Sequence, residues 1–245
     1  MKIFKFLIIS FVLLGIATGV YGEEGKEEKK LSDQAELSFV DTGGNTDVVS
    51  LSARNLLKYK FTEKLEGAWE VGALYGESDG EKNAESYFTD LRLDYLFTER
   101  FYVSGIAGWS KDEFAGIDSR YEIGPAAGYK FLIGPKHFLL GEAGLNYVNE
   151  EYTDDTDKDY LGGRAFAQYE YVFTEKNRFS QSLEFLYDFD ESDNYNIISE
   201  TALISALSDY LSLKASYLVK YDNEPVPSTL DETDTILALT LVANF

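Results

Sequence analysis

Thr233-Asp-Thr-Ile-Leu-Ala-Leu-Thr-Leu-Val-Ala-Asn-Phe245 closes the chain. At the two-residue period of a strand, Thr235, Leu237, Leu239, Leu241, Ala243 and Phe245 share one face. Ile236, Ala238, Thr240, Val242 and Asn244 share the other, which is smaller and more polar. An aromatic residue stands at the carboxyl terminus with no polar tail after it. Uncovered apolar strand edges aggregate in water, whereas a strand that closes a barrel in a bilayer has no free edge. The stretch therefore predicts the sealing strand of a transmembrane β-barrel. Leu237, Leu239 and Leu241 should face lipid, and Ala238 and Thr240 the lumen. Phe245 itself is expected to act as the assembly signal of such a barrel.

Working back from this strand, the same alternation recurs along the chain. Eleven further runs are expected at about Gln34–Asp41, Val48–Phe61, Leu65–Tyr75, Ser86–Phe97, Phe101–Ser110, Ser119–Phe131, His137–Val148, Tyr160–Phe173, Arg178–Phe189, Tyr195–Leu207 and Tyr210–Tyr221. Thr42-Gly-Gly-Asn-Thr46 reads as a tight turn after the first. The fold class that follows is all-β: a transmembrane up-and-down antiparallel β-barrel of about 12 strands, over residues 34–245. An even number puts both termini on the periplasmic side. The first and last runs should pair with each other.

The connections fall into two kinds. Tyr59-Lys-Phe-Thr-Glu-Lys64 is echoed by Tyr95-Leu-Phe-Thr-Glu-Arg100 and Tyr171-Val-Phe-Thr-Glu-Lys176, each a very short turn. The alternate connections, residues 76–83, 111–118, 149–159, 188–194 and 222–232, hold twenty acids against three lysines. Short turns at one end and longer loops at the other is the outer-membrane barrel layout, with the short turns periplasmic. Aromatic residues flank both kinds of connection, with Leu, Val, Ala and Gly between them. Rings partition to the two membrane interfaces in this way. The core of a soluble barrel would need a polar outside instead.

Met1–Gly22 has the layout of a cleaved signal peptide: Lys2 and Lys5, the apolar run Phe6–Ile16, then small residues. That run is shorter than the roughly 20 residues a membrane-spanning helix needs. Residues 23–33, rich in Glu and Lys, read as a flexible periplasmic lead-in. The formal net charge of −21 argues against nucleic acid as a partner. Absence of Cys removes disulfides, thiolate metal sites and cysteine nucleophiles.

The inward face carries charge at mid-strand. Arg54, Arg92, Arg120 and Arg164 fall on even-numbered strands, and Glu70, Glu142 and Glu184 on odd-numbered neighbours. Asp90, Glu122, Glu170, Glu200 and Lys214 lie nearby. Buried charges must be paired or hydrated, which interleaved Arg and Glu would satisfy. Two readings stand: a polar channel whose selectivity these groups set, and a salt-bridge network that fills a very narrow lumen. Arg54, Glu70, Asp90, Arg92, Arg120, Glu122, Glu142, Arg164 and Glu184 are the expected lumen-lining charges.

Catalysis finds little support. His137, the only histidine, opens a strand beside a short turn and has no orienting partner in view. Asp155-Thr-Asp-Lys-Asp159 starts like an EF-hand loop, but Tyr160 stands where Gly is needed and Phe166 where Glu is needed. No catalytic residue, cofactor or metal site is expected. The expected partners are outer-membrane lipid and the barrel-assembly machinery, with the chain monomeric. The alternatives are an outer-membrane hydrolase and a receptor or adhesin acting through the acidic loops.

Ala35-Glu-Leu-Ser-Phe with Gly44-Asn-Thr, Tyr75-Gly-Glu with Asn83-Ala-Glu, and Leu96-Phe-Thr-Glu-Arg open a longer series. Phe179-Ser-Gln, Ser199-Glu-Thr-Ala-Leu, Ser216-Tyr-Leu-Val-Lys-Tyr-Asp-Asn-Glu-Pro and Thr233-Asp-Thr complete it. Together they resemble an uncharacterised bacterial β-barrel family, the domain of unknown function 481, whose members carry the label salt-induced outer-membrane protein. The resemblance implies the outer membrane of a Gram-negative bacterium and a link to salt or osmotic stress. It carries no catalytic or ligand residues over to this chain.

Overall fold

The computed structural model describes residues 30–42 and 48–245. The expected signal peptide, all of the lead-in before Lys30 and the Gly43–Thr46 turn lie outside them. Twelve strands run in chain order: β1 Leu31–Thr42, β2 Val48–Lys60, β3 Leu65–Ser78, β4 Glu81–Leu96, β5 Phe101–Asp112, β6 Ile117–Ile133, β7 His137–Tyr152, β8 Asp157–Val172, β9 Asn177–Asp188, β10 Tyr195–Ala206, β11 Leu211–Asp222 and β12 Thr233–Asn244. Each pairs antiparallel with its sequence neighbours, and β12 returns to pair with β1, closing the barrel. Twelve residues at about 3.3 Å each, tilted roughly 40°, cover about 30 Å, the thickness of a bilayer's hydrocarbon core.

The molecule is inside-out relative to a water-soluble barrel. Leu237 is 80% exposed, Ile123 61% and Leu91 57%, and these lie on the outward face of the sheet. Among the described residues, buried polar and charged side chains outnumber buried hydrophobic ones. Only a hydrocarbon solvent makes this distribution stable. Leu237, Leu239 and Leu241 are exposed while Thr240 is buried, so the last strand faces the way its alternation predicts.

The repeated Tyr-X-Phe-Thr-Glu motif has a physical basis in the turns it builds. Phe61 and Thr62 N–H both donate to Leu65 O, and the Thr62 hydroxyl accepts from the Lys64 and Leu65 N–H groups. Thr98 and Thr174 repeat the arrangement, and Ser208 does so at the β10–β11 turn. A hydroxyl that satisfies two backbone donors fixes a tight turn without glycine. The two aromatics then meet edge to face on the lipid side: Tyr59–Phe61 at 4.9 Å, Tyr95–Phe97 at 5.0 Å and Tyr171–Phe173 at 4.8 Å between centroids. At the opposite end the Tyr75 and Tyr147 hydroxyls donate to Glu77 and Asp159. Rings in hydrocarbon with hydroxyls in the polar layer is the interfacial arrangement of tyrosine.

The strands reach further than the alternation indicates. β1 begins at Leu31, ahead of the expected Gln34, because Leu31–Asp33 pair with Leu57–Tyr59 and Asp33 also bonds Phe245. The expected loop 76–83 shrinks to Asp79-Gly80, with φ of 52° and 82°. Two successive positive φ angles make the tight hairpin turn that matches strand twist. β7 likewise continues to Tyr152, taking Glu150 out of the expected loop and into the wall. Folded this way, the protein should migrate faster before boiling than after it on a denaturing gel, and identical mobility would contradict the closed barrel.

Candidate functional site: the charged lumen

Arg92 on β4 is the hub of the lumen. Its Nε donates to Asp94 Oδ1 at 2.8 Å, its Nη2 to Ser104 Oγ at 2.8 Å, and its two terminal nitrogens grip Glu142 at 3.1 and 2.5 Å. Glu142, on β7, also accepts from Tyr102 Oη at 2.6 Å and from Arg164 Nη1 at 2.9 Å. Arg164 on β8 then pairs with Glu184 on β9. The lattice thus ties together side chains from β4, β5, β7, β8 and β9. The Glu142 side chain is only 2% exposed, and its two oxygens take four donors. That satisfaction is the condition under which a buried carboxylate is tolerable.

The strand skipped by this lattice explains its reach. β6 presents Gly124, Ala126 and Gly128 inward, so Arg92 crosses it without obstruction. The Tyr102 ring occupies the space a side chain at Gly128 would need, and its face lies 5.8 Å from the Arg92 guanidinium. Small residues on one strand thereby give room for large charged ones on its neighbours.

Two further groups complete the middle of the lumen. Arg54 pairs with Glu70, its neighbour on β3. Lys214 on β11 reaches Glu200 at 2.8 Å and Glu36 on β1 at 3.4 Å. The Arg54 side chain remains 37% exposed, so solvent-accessible space persists beside it. The lattice narrows one side of the lumen and leaves this side more open.

Not every expected partner is paired as the interleaving suggests. Arg120 binds Glu150 at 3.0 Å, its register partner on β7, rather than an acid of the mid-strand set. Among the described residues its Nη2 is buried without a hydrogen-bond partner. Among the described residues Asp90 and Glu122 form no ion pair; both crowd the space over Gly108. Sequence reasoning did not find Asp94, Tyr102, Ser104 and Glu150. Tyr102 had a signal, as an aromatic on the inward face of β5 between outward Phe101 and Val103. Glu150 had none, because it lies where apolar alternation has stopped.

The end of the barrel bearing the acidic loops is capped. The β11–β12 loop brings the Val226 carbonyl and Leu230 against Gly116, whose φ is 78°. Only glycine fits both that backbone conformation and the close approach. Lys220 at the end of β11 bonds Asp112 at the end of β5 at 3.0 Å. β11 and β5 stand six strands apart in a ring of twelve, so this ion pair bridges the mouth. His137 lies at the other end, exposed and hydrogen-bonded to Tyr169 Oη at 2.8 Å.

An apolar outside, a closed antiparallel ladder and an ion-paired inside define an outer-membrane-type β-barrel. The chain belongs to the family described as protein of unknown function, DUF481, whose model matches residues 35–245. It is 26% identical over 225 residues to the uncharacterised protein YdiY of Escherichia coli K12, covering 91% of this chain and 86% of that one. Among solved structures, an outer membrane channel from Pseudomonas putida F1 matches with a TM-score of 0.55 at 11% identity, over 88% of this chain and 94% of the other. The translocator domain of the autotransporter NalP from Neisseria meningitidis matches with a TM-score of 0.52 at 12% identity, over 88% of this chain and 87% of the other. At these identities the two structures share the fold with this chain.

Proposed function

We propose that the protein is a non-enzymatic outer-membrane barrel whose narrow lumen passes only small polar solutes. The observation that carries the reading is Glu142, gripped by two arginines and a tyrosine from three strands, with water-accessible space left beside Arg54. A lattice of this kind obstructs large solutes while keeping a hydrated, charged path for small ones. The lone histidine's place at the short-turn end, hydrogen-bonded to a tyrosine, supports a role without catalysis. In this reading the chain is a monomer in outer-membrane lipid, with periplasmic termini and Phe245 presented to the assembly machinery. Nucleic acid has no part in it, and the salt or osmotic link would appear as raised abundance after a salt upshift.

Liposome swelling with solutes of graded size tests the passage. Vesicles carrying the folded barrel should swell in the smallest polar solutes, such as glycine, and hold their volume in trisaccharides. Equal swelling in both would contradict a constricted lumen, and no swelling in either would make the barrel purely structural.

A further inference from the structure

The ion pairs of the middle lumen do not balance. Arg92 and Arg164 are shared among Asp94, Glu142 and Glu184, which leaves that lattice one acid in excess. Lys214 faces both Glu36 and Glu200, again one acid too many. Arg54–Glu70 and Arg120–Glu150 are even. Asp90 and Glu122, outside these pairs, add two further acids.

Register explains how those two are held. Glu70, Asp90, Gly108 and Glu122 are direct cross-strand neighbours on β3, β4, β5 and β6. Three carboxylates thus form one row across the inner wall, with a glycine in its single gap. Of the three, only Glu70 has an arginine partner. An Asp90 oxygen takes the place that a Cβ at position 108 would fill, and Glu122 Oε1 lies 3.3 Å from that place. Gly108 therefore lets both carboxylates lean over the middle strand toward each other. Both residues are partly exposed, so ions in the lumen can approach them. A carboxylate with no counter-charge in the protein recruits one from solution.

An independent feature beside the row points to the same ligand. Asn146 on β7 is 6% exposed, and among the described residues its Oδ1 is buried without a hydrogen-bond partner. Asn146 and Glu122 line one small cavity in this wall, together with Arg164. Arg164 already gives Nε to Glu184 and Nη1 to Glu142. An unsatisfied amide oxygen next to an unpaired carboxylate suits a cation or the water around it, and disfavours an anion.

We propose that the Asp90–Gly108–Glu122 row is the selectivity filter of the lumen, and that the solutes it passes are small monovalent cations. This names the solute class within the small-solute reading and rests on it. Carboxylates lining a narrow path favour cations in this way. The connections at the loop end, with twenty acids against three lysines, concentrate cations at the same mouth. Salt separates the two contributions. At 1 M the Debye length is about 3 Å, so the field of exposed loops is screened while that of the half-buried row persists.

Reversal potentials in planar bilayers, under a tenfold KCl gradient at high salt, test the filter. The wild-type barrel should prefer potassium to chloride several-fold. Asp90→Asn combined with Glu122→Gln keeps side-chain volume and should bring the two permeabilities close to equal, with either single variant falling between. Glu81→Gln, exposed at the tip of the β3–β4 hairpin, should leave the preference unchanged. Folding of each variant is checked by gel mobility. A wild-type barrel that conducts but prefers chloride, or neither ion, would overturn the filter and leave passage standing. So would a preference that survives the double variant, or one that Glu81→Gln lowers as much. A barrel that inserts and conducts nothing would remove passage and filter together.

Discussion

Replacing Glu142 with alanine is expected to cost the barrel about 3 to 5 kcal/mol of stability, the range for removing one partner of a buried ion pair. The loss is large because it is not one contact. Arg92 and Arg164 would face each other across the vacated site with their shared acceptor gone, and Tyr102 would lose its partner as well. Urea unfolding in detergent, followed by gel mobility, should show the midpoint falling well below that of the parent. Glu142→Gln should fall less, because the amide oxygen still accepts one donor and fills the volume. In barrels that still fold, Glu142→Ala should conduct more and favour anions, since it removes a negative charge and leaves two arginines. An unchanged midpoint and unchanged selectivity would mean the lattice neither holds nor narrows the lumen.

Deleting Phe245 is the second large effect. The residue supplies both backbone hydrogen bonds to Asp33 at the end of the seam. Two such bonds at about 1 kcal/mol each amount to tenfold or more in an equilibrium. Elsewhere this would be minor, but the β1–β12 ladder spans only four further residue pairs. The deletion should leave little heat-modifiable protein in outer membranes and more unfolded chain. Phe245→Ala separates two causes, because it keeps the backbone bonds and removes only the ring. A defect as deep as the deletion's would assign the loss to recognition of the aromatic terminus; normal assembly of the deletion would remove Phe245 from both roles.

The fold was legible because a membrane barrel writes its structure at period two. Every strand crosses the same apolar layer, so Leu91, Leu93 and Tyr95 or Leu237, Leu239 and Leu241 recur on one side. The signal stops where the layer stops. Glu77, Glu81 and Glu150 are strand residues beyond the apolar layer, where nothing enforces alternation, and Asp79-Gly80 needed its turn geometry to be seen. The lumen was legible as a set of charges but not as a wiring diagram. Pairing depends on stagger between strands and on small residues such as Gly128, which let Arg92 reach past β6. The cap was hidden for the same reason: Lys220 and Asp112 lie 108 residues apart and meet only because the barrel closes.

Single-channel recording in planar bilayers tests the account most directly. The wild-type barrel should give small, well-defined conductance steps, and Glu142→Ala should enlarge them. Wide, water-filled steps from the wild type, unaffected by Glu142→Ala, would contradict a lumen constricted by its Arg–Glu lattice.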